Sequence, residues 1–308
     1  MGGAVTDATR TAGRARRRAL GWALAANATF LVVEAAAGLL FGSLALLADA
    51  AHMLSDVAAL TITLVAERLV DRPATTRHSY GLQRAEVLGA QANGLLLVGA
   101  AAYVFIEGVQ RLREPAAIEG GGLLIVALAG LAVNLGSAWL IARSAGRSLG
   151  MRGALTHMLA DAAGSAGAVL AGIAVLAFGA VWADAVVAMG IGLLVVWAAF
   201  RLLRDATHVL LEGTPRGLDV QTVESAVGQM TGVESVHHVH LWNLSSDVPA
   251  MSAHVVLAGP STLHDAQARG DEIKGLLAGR FGIVHATLEL ECHDCEPPVQ
   301  ASGQPAAP

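Results

Sequence analysis

Apolar residues form long unbroken runs through the first two thirds of the chain and short alternating or helically spaced groups through the last third. Six runs reach the roughly 20 residues a helix needs to cross a hydrocarbon core: about 20–41, 44–65, 87–109, 122–141, 155–178 and 181–203. The second and fifth stand apart, because ionisable groups lie inside them. Beyond Leu203 hydropathy falls and charges return. There the spacing predicts helix, strand, strand, helix, strand. Val220, Val223, Val227 and Met230 recur at helical intervals over 219–230, behind Asp219 as a cap. Segments 233–244 and 250–257 alternate about the turn residues Ser245, Ser246 and Asp247, as a hairpin does. A second helix over 261–280 starts behind Pro260 with Ser261 as its cap, and 283–290 makes a last strand. The expected fold is an all-α polytopic membrane domain of six transmembrane helices plus a small α+β ferredoxin-like cytoplasmic C-terminal domain. The expected division is a basic N-terminal tail over 1–18, a transport domain over 19–208, the C-terminal domain over 209–296, and a Pro- and Ala-rich disordered tail over 297–308.

Basic residues orient the spans. The N-terminal segment holds Arg10, Arg14, Arg16, Arg17 and Arg18. Arg68, Arg72, Arg77 and Arg84 lie between spans two and three, and Arg143, Arg147 and Arg152 between spans four and five. The other loops are poor in Arg and Lys apart from Arg111 and Arg113, so both termini are expected in the cytoplasm and the protein in the inner (plasma) membrane. A charged fraction of 15%, against about 25% in soluble domains, agrees with membrane burial. The net charge of −5 does not favour nucleic acid as a partner. The run after the N-terminal arginines is too long for a signal peptide and is followed by further spans.

The chemistry lies in spans two and five. His52-Met-Leu-Ser-Asp56 and His157-Met-Leu-Ala-Asp161 are two copies of one pattern. On a helix, residues four apart share a face, so each span presents an imidazole and a carboxylate together. Two such helices face to face offer two nitrogens and two oxygens, a tetrahedral set suited to Zn2+. One intramembrane His or Asp is as often a hydrogen-bonded packing residue as a ligand; a duplicated pair in two helices argues for an ion pathway. Asp49 lies near His52 on a similar face and is a candidate proton relay or supporting group. Asn27, Glu34, Asn93 and Asn134 read as hydrogen bonds between helices, Asp184 as a cap, and Gly38 with Gly42 as a packing pair.

With these motifs the chain resembles the cation diffusion facilitator family of zinc and cadmium exporters. The resemblance also rests on the run SLALLADA from Ser43 towards His52, on Tyr80-Gly81 with Arg84 and Glu86, on Trp182-Ala-Asp184, and on Leu210-Leu-Glu-Gly-Thr-Pro215. It extends over about 18–295. It implies a homodimer, metal-for-proton exchange, and an ion held by His52, Asp56, His157 and Asp161. Some relatives bind metal in the loop between spans two and three with an acid and two His. Here only His78 matches, with Thr75 and Leu82 at the other positions.

Seven of the eleven His follow residue 236, which makes the last third rich in ligands. In relatives, His on the first two strands and acidic or thiol groups at the end of the last strand bind cytoplasmic zinc. By that resemblance His240, His254, Glu291, Cys292 and Cys295 are the candidates, and His237, His264 and His293 read as surface residues. Cys292 and Cys295 are the only cysteines, and their C-x-x-C spacing suits a metal or a redox pair. The expected function is proton-coupled efflux of a divalent cation, Zn2+ first and Cd2+ or Co2+ next, by alternating access. Zn2+ is then both substrate and structural or regulatory ion, with protons and membrane lipid as the other partners and no organic cofactor. Two alternatives stay open. An intramembrane zinc enzyme would need an open coordination position and lacks H-E-x-x-H; a metal sensor would show no flux.

Overall fold

A computed structural model describes residues 2–41, 44–113, 120–146, 148–178, 182–259 and 262–292. The side chains of Glu34, Asp49, His52 and Asp184, and the whole of Cys295 and the 297–308 tail, lie outside the described residues. The chain divides into two compact units, Met1–Leu210 and Leu211–Pro308.

The first unit holds α1 (Gly2–Phe41), α2 (Leu44–Val70), α3 (Ala85–Arg113), α4 (Gly120–Ala142), α5 (Leu149–Phe178) and α6 (Trp182–Leu210). The first five expected spans fall inside α1–α5, and the sixth, expected over 181–203, corresponds to α6, which begins at Trp182; each helix runs past its span at one end or both. The largest excess is in α1, which starts at Gly2 rather than near Leu20. Hydropathy marks where apolar residues begin, whereas helix propensity continues through the Ala- and Arg-rich segment, where Pro is absent. Ala85–Gln110 is long and apolar enough to cross a membrane by length and composition, and Leu128–Ala142 is a shorter apolar helix among the described residues.

The packing interior is narrow. Leu20 and Ala23 of α1, Leu60 and Leu64 of α2, Ala138 and Ile141 of α4, and Met151, Ala154 and Met158 of α5 form one buried cluster. Val87 and Ala90 of α3 meet Leu202, Ala206 and Val209 of α6 in another. Close approach needs small residues. A Cβ at Gly89 would stand 2.9 Å from the Ala66 Cβ, and one at Gly94 2.8 Å from the Leu203 side chain, so both contacts depend on glycine. Outward faces carry large apolar side chains, including Leu95, Tyr103 and Ile106 on α3 and Leu193, Leu194, Trp197 and Phe200 on α6. So much exposed apolar surface fits lipid better than water. The helices are also joined by polar bonds: Asn27 of α1 donates to Ser137 Oγ of α4 at 3.0 Å, and Asn93 of α3 to Thr63 Oγ1 of α2 at 2.7 Å.

The second unit runs α7 (Val220–Gly228), β1 (Val233–Ser245), β2 (Val248–Leu257), α8 (Leu263–Phe281), β3 (His285–Glu291). The sheet order is β1-β2-β3, with β1 antiparallel and β3 parallel to β2. A parallel neighbour requires a crossover, which α8 supplies. Met251, Ala253 and Val255 of β2 pack with Val223 and Val227 of α7 and Ile273 and Leu277 of α8. The alternate residues Ser252 and His254 therefore lie on the other face of the sheet. The α8 cap is Thr262 rather than Ser261. The Thr262 hydroxyl accepts from Asp265 N while the Asp265 carboxylate accepts from Thr262 N, a reciprocal box that fixes the first turn one residue later.

Candidate metal centre

Asp56 of α2 and His157 and Asp161 of α5 come together inside the helical unit. His157 Nε2 lies 3.1 Å from Asp56 Oδ1 and 3.8 Å from Asp161 Oδ2. One ligand atom from each of the three falls within 4.8 Å of the other two. The i,i+4 spacing in α5 puts His157 and Asp161 on one face, and the Leu60, Leu64, Met151, Ala154 and Met158 cluster presses that face onto α2. Asp56 is fully buried and His157 is 3% exposed. Among the described residues, Asp56 Oδ2 has no hydrogen-bond partner, and it is buried. A buried carboxylate oxygen left in this way is costly unless a cation satisfies it. Two carboxylates and an imidazole are hard and borderline donors of the kind a divalent metal takes. His52 lies in α2 one turn before Asp56.

A second cluster lies on the sheet face away from the helices. His254 Nδ1 is 2.7 Å from Glu291 Oε1, and His237 Nε2 is 3.5 Å from Glu291 Oε2. The His237 and His254 ring centroids are 5.2 Å apart. His237, His254 and Glu291 again offer three ligand atoms within 4.8 Å. His254 and Glu291 were expected here from the sequence. His240 was also expected but stands opposite Ser252, exposed and outside the cluster, and His237, read as a surface residue, takes its place. A register shift between His237 and His240, with His238 in the left-handed region at φ 48°, brings His237 rather than His238 opposite His254. An unbroken ladder from the His240–Ser252 pair would have put His238 opposite His254. Cys292 is exposed with a free thiol and takes no part in this cluster. His78 is exposed in the loop after α2, where its backbone and that of Thr75 exchange hydrogen bonds.

Two carboxylates, Glu67 near the end of α2 and Glu86 at the start of α3, are buried; the sequence reading marked Glu86 only as part of the resemblance and passed over Glu67. Glu67 Oε1 accepts from Ser148 Oγ at 2.9 Å, and Glu86 Oε1 accepts from Leu149 N at 2.8 Å. Glu67 lies beyond the 44–65 span. Burial first, and then the charge of Glu86, push its carboxyl up from 4.5 to about 7, against the Ser148 hydrogen bond and the charges of Arg16 and Arg17. The signal was a stripe: Asp56, Thr63 and Glu67 recur at helical spacing on one face of α2.

Residues 22–211 match the cation efflux transmembrane domain, and residues 215–293 match the cation efflux protein cytoplasmic domain. Among curated proteins, the chain is 38% identical over 283 residues to the zinc transporter ZitB of Escherichia coli, covering 91% of this chain and 89% of that protein. It is 38% identical over 279 residues to the metal cation efflux system protein CzcD of Cupriavidus metallidurans, covering 91% and 88%. It is 34% identical over 264 residues to a cadmium, cobalt and zinc/H(+)-K(+) antiporter of Bacillus velezensis, covering 85% and 84%. Among solved structures, the metal-bound C-terminal domain of the CzcD transporter matches at 29% identity with a TM-score of 0.21, covering 24% of this chain and 99% of that one.

Proposed function

The chain belongs to the cation efflux family, the cation diffusion facilitators, and from that premise we propose that it exports Zn2+ from the cytoplasm in exchange for protons, with Asp56, His157 and Asp161 holding the ion. It is a metal cation transporter and not an enzyme. The observation that carries the ion assignment is the convergence of the three side chains on one buried point. His52 is the fourth ligand in this reading, one turn from Asp56 on the same helix.

Nitrogen and oxygen lone pairs that bind the metal also bind protons, so each excludes the other from the same atoms. Deprotonated ligands take Zn2+ from the cytoplasm, α2 and α5 reorient as the access side changes, and protons from the outer side displace the ion. In this reading each of α1–α6 carries one of the six spans that cross the inner membrane within residues 19–208, the second ending at 65; both termini are cytoplasmic, Asp49 supports the ligands or relays protons, and residues 209–296 form a ferredoxin-like domain that pairs two protomers. Cd2+ and Co2+ are alternative cargo, as the Bacillus velezensis relative's name suggests for that protein. The test is zinc flux in proteoliposomes under an imposed pH gradient. Zinc movement should follow the gradient and reverse when the gradient is reversed. Binding without flux would instead indicate a sensor.

The His237, His254 and Glu291 cluster is proposed as a second, regulatory zinc site of the cytoplasmic domain, with Cys292 and Cys295 following it. Replacing His254 with alanine removes a shared ligand, because it is the side chain nearest Glu291. Zinc bound per purified protomer should fall by about one ion, while flux at saturating zinc persists. Mass spectrometry of metal content checks this, and an unchanged content would assign the cluster to hydrogen bonding alone.

A further inference from the structure

The clamp at the start of α5 is separate from both metal clusters. Ser148 caps α5: its Oγ accepts from Met151 N at 3.2 Å, and its carbonyl accepts from Arg152 N. The same Ser148 hydroxyl donates to Glu67 of α2, and the next amide, Leu149 N–H, donates to Glu86 of α3. Both carboxylates are buried, at 3% and 2% exposure. A Cβ on Gly150 would stand 3.2 Å from Glu86 Cγ, so the first turn of α5 sits directly on these acids. The two helices are therefore joined at two levels, Asp56 to His157 and Glu67 to Ser148, with Leu60, Leu64, Met151 and Ala154 packed between. The levels lie about 16 Å apart along α2, at about 1.5 Å per residue. Arg68, Arg72, Arg77 and Arg84 mark this end as the cytoplasmic one.

We propose that Glu67 is a positioning residue that works as a proton-operated seal at the cytoplasmic end of the α2–α5 seam, closed when its carboxyl is protonated and opening when the proton leaves. The inference rests on the reading that Asp56, His157 and Asp161 hold the ion, since that reading makes the α2–α5 seam its path. The charged groups around Glu67 are Glu86 of α3 and Arg16 and Arg17 of α1, and Arg17 is already ion-paired with Asp71. With one proton on Glu67, the clamp buries one negative charge in place of two. Without it, two carboxylates are buried side by side, and the state in which water reaches Glu67 gains.

The sign follows from linkage. Closed, the carboxyl holds its proton up to about pH 7; open to water, it returns to its ordinary value of 4.5. Protons therefore favour the closed seam, and raising the pH from about 4.5 towards about 7 favours the open one, with little further gain above 7. Between pH 6 and 8 the ratio of open to closed should rise about tenfold.

Amide hydrogen exchange at Leu149, Met151 and Arg152, in the full chain in nanodiscs and corrected for intrinsic rates, tests this. The parent should show the roughly tenfold rise in opening from pH 6 to 8. Glu67→Gln, which is neutral throughout and retains an acceptor for Ser148, should lose the rise and open about thirtyfold less than the parent does at pH 6. Glu86→Gln removes the like charge and should move the midpoint to lower pH, which keeps the test open if Glu67→Gln does not fold. A parent without the rise, a Glu67→Gln protein with the same rise, or a Glu86→Gln protein with an unmoved midpoint would overturn the proposal. Asp161→Ala should keep the parent's exchange response. Normal zinc flux in that variant would remove the ion-site reading while leaving the exchange result to be judged separately.

Discussion

Asp161→Ala should lower zinc flux by about a hundredfold or more while leaving the protein folded. Zn2+ brings two positive charges into the α2–α5 seam, and Asp56 and Asp161 are the carboxylates there that can neutralise them. Removing one leaves a net positive charge in a buried site. Losing one partner of a buried charge pair costs about 3–5 kcal/mol, and about 2.8 kcal/mol is already a hundredfold in affinity. The imidazole of His157 supplies a donor but no charge when it is neutral, so it cannot replace the missing carboxylate. The helix itself should tolerate the change. Ser165 Oγ bonds to the Asp161 main-chain oxygen, which alanine keeps, and alanine is the better helix former. Zinc flux in proteoliposomes, beside circular dichroism and the elution volume of the purified variant, separates loss of transport from loss of fold. Flux within a few fold of the parent would exclude Asp161 as an ion ligand.

The helical unit was legible because its signals are local. Runs of apolar residues located α2 and α5, and the i,i+4 spacing alone put His157 and Asp161 on one face. That Asp56 meets His157 across 101 residues of chain was suggested by the duplication of the motif and by the family resemblance. The clamp had no such copy. Glu67 and Ser148 are 81 residues apart, and a lone acid past the end of a hydrophobic span looks like a solvated one until packing shows it buried. In the second unit, periodicity located every helix and strand and the turn. It could not show which His stands opposite His254, because a single extra residue in β1 changes the partner and alternation cannot reveal a bulge. The α8 cap moved by one residue for a related reason: Ser261 and Thr262 are both capping residues, and the choice depends on Asp265 three positions after Thr262.

His157→Asp should change which metal passes more than whether one passes. His157 Nε2 is the nitrogen among the described ligand atoms, within 3.1 Å of one carboxylate and 3.8 Å of the other. Substituting a carboxylate makes that set all oxygen and adds negative charge. Oxygen sites suit harder or larger cations that accept more ligands and looser geometry, whereas imidazole suits Zn2+. The ratio of Mn2+ or Cd2+ uptake to Zn2+ uptake should therefore rise about tenfold, equivalent to about 1.4 kcal/mol of relative preference. Proton coupling should weaken as well, because imidazole and carboxylate differ in proton affinity by about two pH units in water. A carboxylate gains and loses protons less readily between pH 6 and 8. Aspartate is shorter than histidine, so His157→Glu serves as the length control, and both variants should move the metal ranking in the same direction. Uptake of Zn2+, Cd2+ and Mn2+ measured side by side at two external pH values tests both effects. A ranking unchanged in both variants would mean that His157 orients Asp56 through their hydrogen bond without touching the ion.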